Sequence, residues 1–584
     1  MSMKRSFYLL LPILFFIGCS RNLTSPDQNG KGAGIPYLQE KEGHATQFIV
    51  DGKPMLLIAA EPLNSTGSYP ARLDEVLAEM KAAHYNTALI AVSWQLIEPA
   101  EGKYDFASVA DILTVARKNN IKLGLLWFGA WKNGISPYAP SWVLSDVKRF
   151  ERVITPDGEN SQYLSPLCEE TMRLDAKAFG ELMAYLAKND REHTVILMQV
   201  ENELGLGSQT RDFSEKANKS FAGNVPEVLM NYMTGHKETL EVELFEKWKE
   251  NGFKTSGSWE EVFGKNNYTD MFFMAWIYSR FVNTVAEEGK KAYPLPMYVN
   301  CWVNPSMSAN RPNELVTGRY PSGGPFPAAF DIWKAGAPSI DFLSPDIYDN
   351  RTYYIHPASF HRADNPLFVP EMNVGEGRAT FLFAEHDAMG TSPFGQDGQH
   401  EILANENEFL QMMMPVILQY QGTGKMHGFM RWNPADTLVE YKINEDVTIV
   451  IEFNQRTRPG EARASREIGP VPANQQPVRL PPAYGIFIQI SDHEFIVGGL
   501  NVYVWARSTN PSQEVWLNDV REGVFDAEGN WKQLGVRNGD EAGYLSFDIP
   551  HYSIGRYQGY YQRAVGSTVF PAVFKFNFVT YPKK

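Results

Sequence analysis

Residues 195–205 read Val195-Ile196-Leu197-Met198-Gln199-Val200-Glu201-Asn202-Glu203-Leu204-Gly205. An apolar run with β-branched residues ends abruptly in two carboxylates and two amides. The pattern predicts a buried strand whose last residues surface in a polar pocket. Parallel α/β sheets collect ligands at the carboxyl ends of their strands, so acids at such an end are placed for chemistry. A solvated acidic loop would read the same way in isolation. The neighbouring segments separate the two readings.

Three apolar runs precede this one: Met55–Ala60, ending at Glu61; Thr87–Val92, running into Ser93-Trp94; and Lys122–Phe128. Between them lie segments with helical spacing at 72–83, 109–118 and 173–188, the first carrying Leu73, Val76, Leu77 and Met80 on one side. Downstream, an insertion of about 208–269 leads into a long helix at 270–291. Further strands are expected at Met297–Trp302, Phe342–Tyr348 and Leu367–Pro370, the last ending at Glu371. A short helix is expected at 328–335, an eighth strand around 381–394, and a final helix at 406–421 kinked at Pro415. This alternation predicts an α/β protein with a (β/α)8 TIM barrel over 42–427. An open doubly wound sheet is the alternative. The barrel is preferred because polar or aromatic residues end nearly every strand, as a ring around one mouth requires. Beyond residue 428 short strands at 448–451, 485–490, 500–505 and 573–579 alternate with Pro- and Gly-rich segments. A C-terminal all-β sandwich-like domain over 428–584 is expected.

The first residues stand apart from the fold. Lys4 and Arg5 precede the apolar run Phe7–Ile17, which is too short to span a bilayer, and Gly18-Cys19-Ser20 follows. This resembles a bacterial lipoprotein signal over residues 1–19. It implies cleavage before Cys19, lipid on its sulfur, export, and membrane attachment through that lipid alone. Residues 20–41 read as a flexible tether. A net charge of −14 argues against a nucleic-acid partner. Three cysteines, Cys19, Cys168 and Cys301, exclude a disulfide framework, and the last two are expected as free thiols. No clustered Cys/His spacing points to a metal, no cofactor motif stands in a strand–helix context, and no Gly-x-Ser-x-Gly elbow is present. The 13% aromatic content is high enough to look for sugar-stacking surfaces.

Cleaving a glycosidic bond with retention needs an acid on the leaving oxygen and a carboxylate at the anomeric carbon, roughly 5–5.5 Å apart. Glu203 and Glu371, at the ends of two barrel strands, meet that need, with Glu201 competing for the first role. Glu203 is preferred because it lies further beyond its strand. Gln199-Val200-Glu201-Asn202-Glu203, with Glu371 on a later strand, resembles glycoside hydrolase family 35, mainly retaining β-galactosidases with a (β/α)8 domain. Asp51-Gly52-Lys53-Pro54, Trp94-Gln95-Leu96-Ile97-Glu98-Pro99 and Gly102-Lys103-Tyr104-Asp105-Phe106 are also similar to that family, and the C-terminal region resembles the β-rich accessory domain of a bacterial branch. The resemblance implies Glu203 as acid/base, Glu371 as nucleophile and Asn202 as a contact to the sugar 2-hydroxyl. Two positions depart from it: Ala91 stands where many members carry Tyr, and Gly129-Ala130-Trp131 where many carry Ala-Glu-Trp. Glu61 is the candidate substitute carboxylate. Trp94, Trp131, Trp302 and Tyr348 lie near strand ends as candidate sugar-stacking residues. The expected function is a retaining exo-β-galactosidase acting on terminal galactosides, without metal or cofactor. The alternatives are a related retaining glycosidase of other sugar preference and a non-catalytic carbohydrate-binding lipoprotein. Glu203 is expected to be protonated at neutral pH because of the negative charge beside it.

Overall fold

Continuous apolar runs, rather than alternating ones, belong to strands covered on both faces, and the barrel strands are covered in that way. The computed structural model describes residues 34–303, 320–350, 353, 356–398, 400–453, 480–537, 545–546 and 571–583. Its eight barrel strands are Leu57–Ala60, Thr87–Ser93, Lys122–Lys132, Val195–Asn202, Met297–Trp302, Phe342–Asp346, Phe368–Met372 and Gly390–Pro393. The first six pair in chain order, and the eighth lies between the first and the seventh. All pairings within this sheet are parallel. The sixth and seventh strands meet through the parallel bridge Ile347–Met372, and the Ile347 amide donates to the Glu371 carbonyl at 2.9 Å. That contact closes the sheet. The fold is a (β/α)8 TIM barrel and not an open sheet.

Alternate strand residues serve two cores. Leu57, Ala59, Leu89, Leu126, Phe128, Tyr298, Phe342 and Phe368 pack together inside the barrel. Ile58, Ala60, Leu125, Trp127, Val299, Leu343 and Val369 pack against the helical layer. Three short strands, Tyr37–Gln39, Gln47–Val50 and Lys53–Pro54, precede the barrel, and Phe48 and Val50 plug its amino-terminal end. Ordered pairing therefore begins within the segment expected to be a tether. The expected leader at 1–19 and the expected tether up to residue 33 lie outside the described residues.

Two strands differ from expectation in ways that matter. The third runs to Lys132, four residues past the expected Phe128, and this carries a charged residue to the mouth. The 381–394 segment is not one strand but the helix Arg378–Glu385 followed by the strand Gly390–Pro393. The strand has no large apolar side chain because its neighbours take the space. A Cβ at Gly390 would sit 2.6 Å from Leu57 and 2.7 Å from Phe368. Apolar periodicity cannot reveal such a strand. The helices Pro70–Ala82, Ala107–Asn119, Glu169–Asn189, Asn267–Ala292, Phe330–Gly336 and Ala404–Tyr420 surround the barrel, and the last continues through Pro415. The insertion forms four short helices, Glu215–Ala222, Glu227–Gly235, Val242–Glu250 and Trp259–Phe263. Phe221 and Trp259 from these pack on Phe273 of the long helix.

The strand Met426–Met430 opens the C-terminal region, which holds a six-stranded and a four-stranded sheet. Phe429, Ile449, Ile451, Phe487, Phe495, Val504 and Phe574 form the core between them. The opposite face of the larger sheet packs on the barrel's last helices through Ile486, Ile488, Ile496 and Val573, joined with Phe409 in the main core. The stretch expected as one strand at 500–505 is split at Asn501, whose φ of 54° is left-handed. Glu494–Leu500 therefore stays in the large sheet and Val502–Ser508 enters the small one. Cys168 and Cys301 are buried free thiols. Among the described residues no helix is long and apolar enough to cross a membrane.

Candidate active site

The carboxyl ends of the barrel strands converge on a nest of buried carboxyl groups. Glu203 follows the fourth strand, Asp346 ends the sixth, and Glu371 lies in the seventh. One oxygen from each lies within 4.8 Å of the others. Asn300 on the fifth strand ties the three together. Its Nδ2 donates to Asp346 Oδ2 at 2.9 Å and to Glu371 Oε1 at 3.3 Å, while its Oδ1 accepts the Glu203 amide at 2.9 Å. Asn202 Nδ2 donates to Glu371 Oε1 at 3.2 Å, and the Tyr348 hydroxyl donates to Oε2 at 2.6 Å. Lys132 Nζ lies 3.9 Å from Glu371 Oε1. Glu61, beyond the first strand, is 2% exposed, and its Oε1 has no hydrogen-bond partner.

At Glu203, Glu61 and Asp346 burial is a larger influence than any neighbouring charge. Desolvation, followed by repulsion from Glu371, pushes the Glu203 carboxyl up to about 7. The sequence had pointed to the neighbouring charge alone, yet burial is the larger cause. Burial and then Glu371 also hold Glu61 and Asp346 well above the usual carboxylate range. Asp346 Oδ1, like Glu61 Oε1, is buried without a partner, so both acids keep an oxygen available for a ligand.

A local backbone feature decides which glutamate of the motif faces the mouth. Glu201 (φ 62°) and Glu203 (φ 46°) are both left-handed, an uncommon conformation that costs on the order of 1 kcal/mol each. These reversals leave Asn202 and Glu203 in the mouth and turn Glu201 toward the helical layer. There Glu201 accepts the Ala130 amide at 3.1 Å and the Trp131 amide at 2.8 Å. Asp175, from the helix between the third and fourth strands, accepts the Trp127 indole at 2.8 Å and the same Ala130 amide at 3.0 Å. Burial raises the Asp175 carboxyl to about 6, and burial together with Asp175 raises Glu201 well above its usual range. Glu201 is thus held in the helical layer, while Glu203 faces the mouth.

This arrangement depends on Gly129. A Cβ at Gly129 would lie 2.5 Å from Glu201 Oε1 and 2.6 Å from Asp175 Oδ1. Gly129→Ala is expected to destabilise the fold by about 1–3 kcal/mol, as overpacking does. Urea unfolding would measure it, and an unchanged midpoint would show that the acid pair can shift without cost.

Two of the four candidate stacking residues belong to the core instead. Trp94 is fully buried, donates its indole N–H to Glu98 at 2.8 Å and meets Trp142 edge-on. Trp131 is fully buried between Tyr278 and Phe281, with its N–H on the Leu164 carbonyl at 3.1 Å. Neither offers a ring face to a sugar, because apolar rings at strand ends are drawn into the helical layer when space exists there. Trp302, opposite Asp346 in register and partly exposed, and Tyr348, 45% exposed, do lie at the mouth. Sequence reading missed Lys132, Asn300, Asp346 and Asp175. The signal for Lys132 and Asp346 was a polar residue closing a strand, and for Asn300 a polar residue inside an apolar one; Asp175 left none, sitting mid-helix.

Residues 68–284 match the family model described as beta-galactosidase, that of glycoside hydrolase family 42. That stretch is similar to a β-galactosidase-type glycoside hydrolase domain. Residues 403–547 match a domain of unknown function, DUF5597. Beta-galactosidase 14 of Arabidopsis thaliana is 26% identical over 208 residues, 34% of this chain and 21% of that protein. Beta-galactosidase 13 of the same plant is 26% identical over 144 residues, 24% of this chain and 17% of that one. The chain thus spans about a fifth of the length of these curated relatives. Among solved structures, the β-galactosidase of Rahnella sp. R3 aligns with a TM-score of 0.41 and 17% identity over 62% of this chain and 57% of that one. The β-galactosidase of the haloarchaeon Halorubrum lacusprofundi aligns with a TM-score of 0.40 and 14% identity over 61% and 58%.

Proposed function

We propose that this chain is a retaining, exo-acting β-galactosidase that hydrolyses terminal β-galactosides of oligo- or polysaccharides by double displacement. The observation that carries this reading is the pairing of Glu203 with Glu371 across the mouth, with oxygens within 4.8 Å. That separation suits direct attack by a carboxylate and is well below the roughly 6.5–9.5 Å at which an inverting enzyme admits a water beside the sugar. In the first step the Glu203 carboxylic acid protonates the glycosidic oxygen while a Glu371 oxygen bonds to the anomeric carbon and the carbon–oxygen bond to the leaving group breaks. In the second, the Glu203 carboxylate takes a proton from water, whose oxygen displaces Glu371 from the same carbon. Tyr348 and Asn300 hold the attacking carboxylate, and Asn202 beside it is placed to reach the 2-hydroxyl.

Within the β-galactosidases, the family 35 assignment rests on the Gln199–Glu203 motif, whereas the model matched over 68–284 is that of family 42, the better-supported placement. A related retaining glycosidase of other sugar preference is the second reading. It draws support from Ala130, a backbone donor to the buried acids, standing near the place of an expected sugar-binding glutamate. The lipoprotein-like pattern of residues 1–19 supports an exported, lipid-anchored enzyme, and the β-galactosidase match over 68–284 supports a carbohydrate as its partner.

A panel of 4-nitrophenyl glycosides, with the anomeric product followed by NMR, tests the reading. Release from the β-galactoside with β-galactose formed first is expected. First formation of α-galactose would refute retention. The rate profile has a defined sign. Glu203 must carry its proton to act as acid, so kcat/KM should fall as pH rises through about 7. A profile flat from pH 5 to about 9 would reassign the acid.

A further inference from the structure

We propose that Lys132 is a positioning residue for this reaction: its ammonium group locks the Asn202 amide in one orientation and sets a positive charge against the four carboxyl groups of the mouth. The proposal rests on the reading of Glu371 as nucleophile.

Lys132 ends the third strand, in register with Asn202 on the fourth, and is 7% exposed. Its Nζ donates to Asn202 Oδ1 at 2.8 Å. An ammonium group offers three donors and no acceptor, so only the amide oxygen of Asn202 can face it. The amide NH2 must then point the other way, where it meets Glu371 Oε1. Chemistry, not choice of fit, decides this orientation. Were the amide turned over, its NH2 would oppose the ammonium and its oxygen would oppose a carboxylate.

The lysine itself has little freedom. Its ammonium lies 5.1 Å from the Phe128 ring centre. Its backbone amide donates to the Ile135 carbonyl at 2.8 Å, and left-handed Asn133 (φ 52°) and Gly134 (φ 72°) turn the chain back directly after it. Four acids face the ammonium from separate elements: Glu61 beyond the first strand, Glu203 after the fourth, Asp346 on the sixth and Glu371 on the seventh. Tyr298, Cys301 and Tyr348 are the other titratable groups among these acids. Burial works against a charge on Lys132, yet Glu371, Glu203, Glu61 and Asp346 together outweigh it and raise its pKa. Removing the charge would leave those acids to repel one another in a desolvated site.

The test uses the full chain and whichever glycoside the wild type cleaves fastest, compared with its 2-deoxy analogue. Lys132→Met keeps the length and removes the charge. It should lower kcat/KM on the parent sugar by about 10²-fold, the scale of losing one aligned donor, with a much smaller loss on the 2-deoxy sugar. Its acidic limb should move to higher pH. Lys132→Arg restores the charge with a different shape, so it should recover the acidic limb but not the 2-hydroxyl discrimination. A Met variant with wild-type discrimination and limbs overturns the proposal. Should that variant fail to fold, by circular dichroism, the Arg variant decides, and unchanged discrimination there overturns it. The parent reading fails differently: the wild type would cleave no glycoside and form no adduct at Glu371 with a 2-deoxy-2-fluoro glycoside.

Discussion

Glu203→Ala is expected to separate substrates by leaving group. Hydrolysis of a glycoside with an ordinary sugar as aglycone should slow by about 10²–10⁴-fold, the usual contribution of a positioned acid. Departure of nitrophenolate needs no proton and should be spared, so a burst of nitrophenol should precede a slow steady state. The slow phase is the second step, in which water has lost its general base. Azide needs no base, and adding it should restore turnover and yield the β-glycosyl azide. The structure motivates this outcome through the raised carboxyl of Glu203, held by burial and by Glu371. Equal losses for both leaving groups would remove Glu203 from the role. The same experiment on Glu201→Ala should show no leaving-group dependence, since Glu201 binds the Ala130 and Trp131 amides and not the mouth.

Glu371→Ala should have the larger effect. Without the carboxylate neither leaving group departs at a useful rate, and a loss on the order of 10⁴-fold or more is expected, as when a covalent nucleophile is removed. Azide should again help, but now from the vacated side of the sugar, giving the α-glycosyl azide. The two variants thus predict products of opposite configuration from one added nucleophile, which NMR resolves. A β product from Glu371→Ala would exclude Glu371 as nucleophile. The Tyr348 hydroxyl at 2.6 Å from Oε2 and the amides of Asn202 and Asn300 near Oε1 leave Glu371 the most heavily held acid of the mouth.

The sequence by itself determined the barrel and put Glu203 and Glu371 at the ends of its strands. Strands buried on both faces read as largely apolar runs, so Thr87–Ser93, Val195–Asn202 and Met297–Trp302 announce themselves, and the acids that close such runs arrive at the carboxyl-end rim of the barrel. Where a strand's burial came from its neighbours, as at Gly390–Pro393, its own letters were silent. Tertiary structure alone decided the direction of each side chain at a strand end. Period-two reasoning fails there because the backbone leaves the ladder: left-handed turns at Glu201 and Glu203 send one acid to the helices and the other to the mouth. Trp131 and Lys132, adjacent in sequence, part in the same way, the indole into the core and the ammonium onto Asn202. Composition cannot foresee such a parting, since both the cost of burying a charge and the gain of pairing it depend on which distant strands arrive beside it.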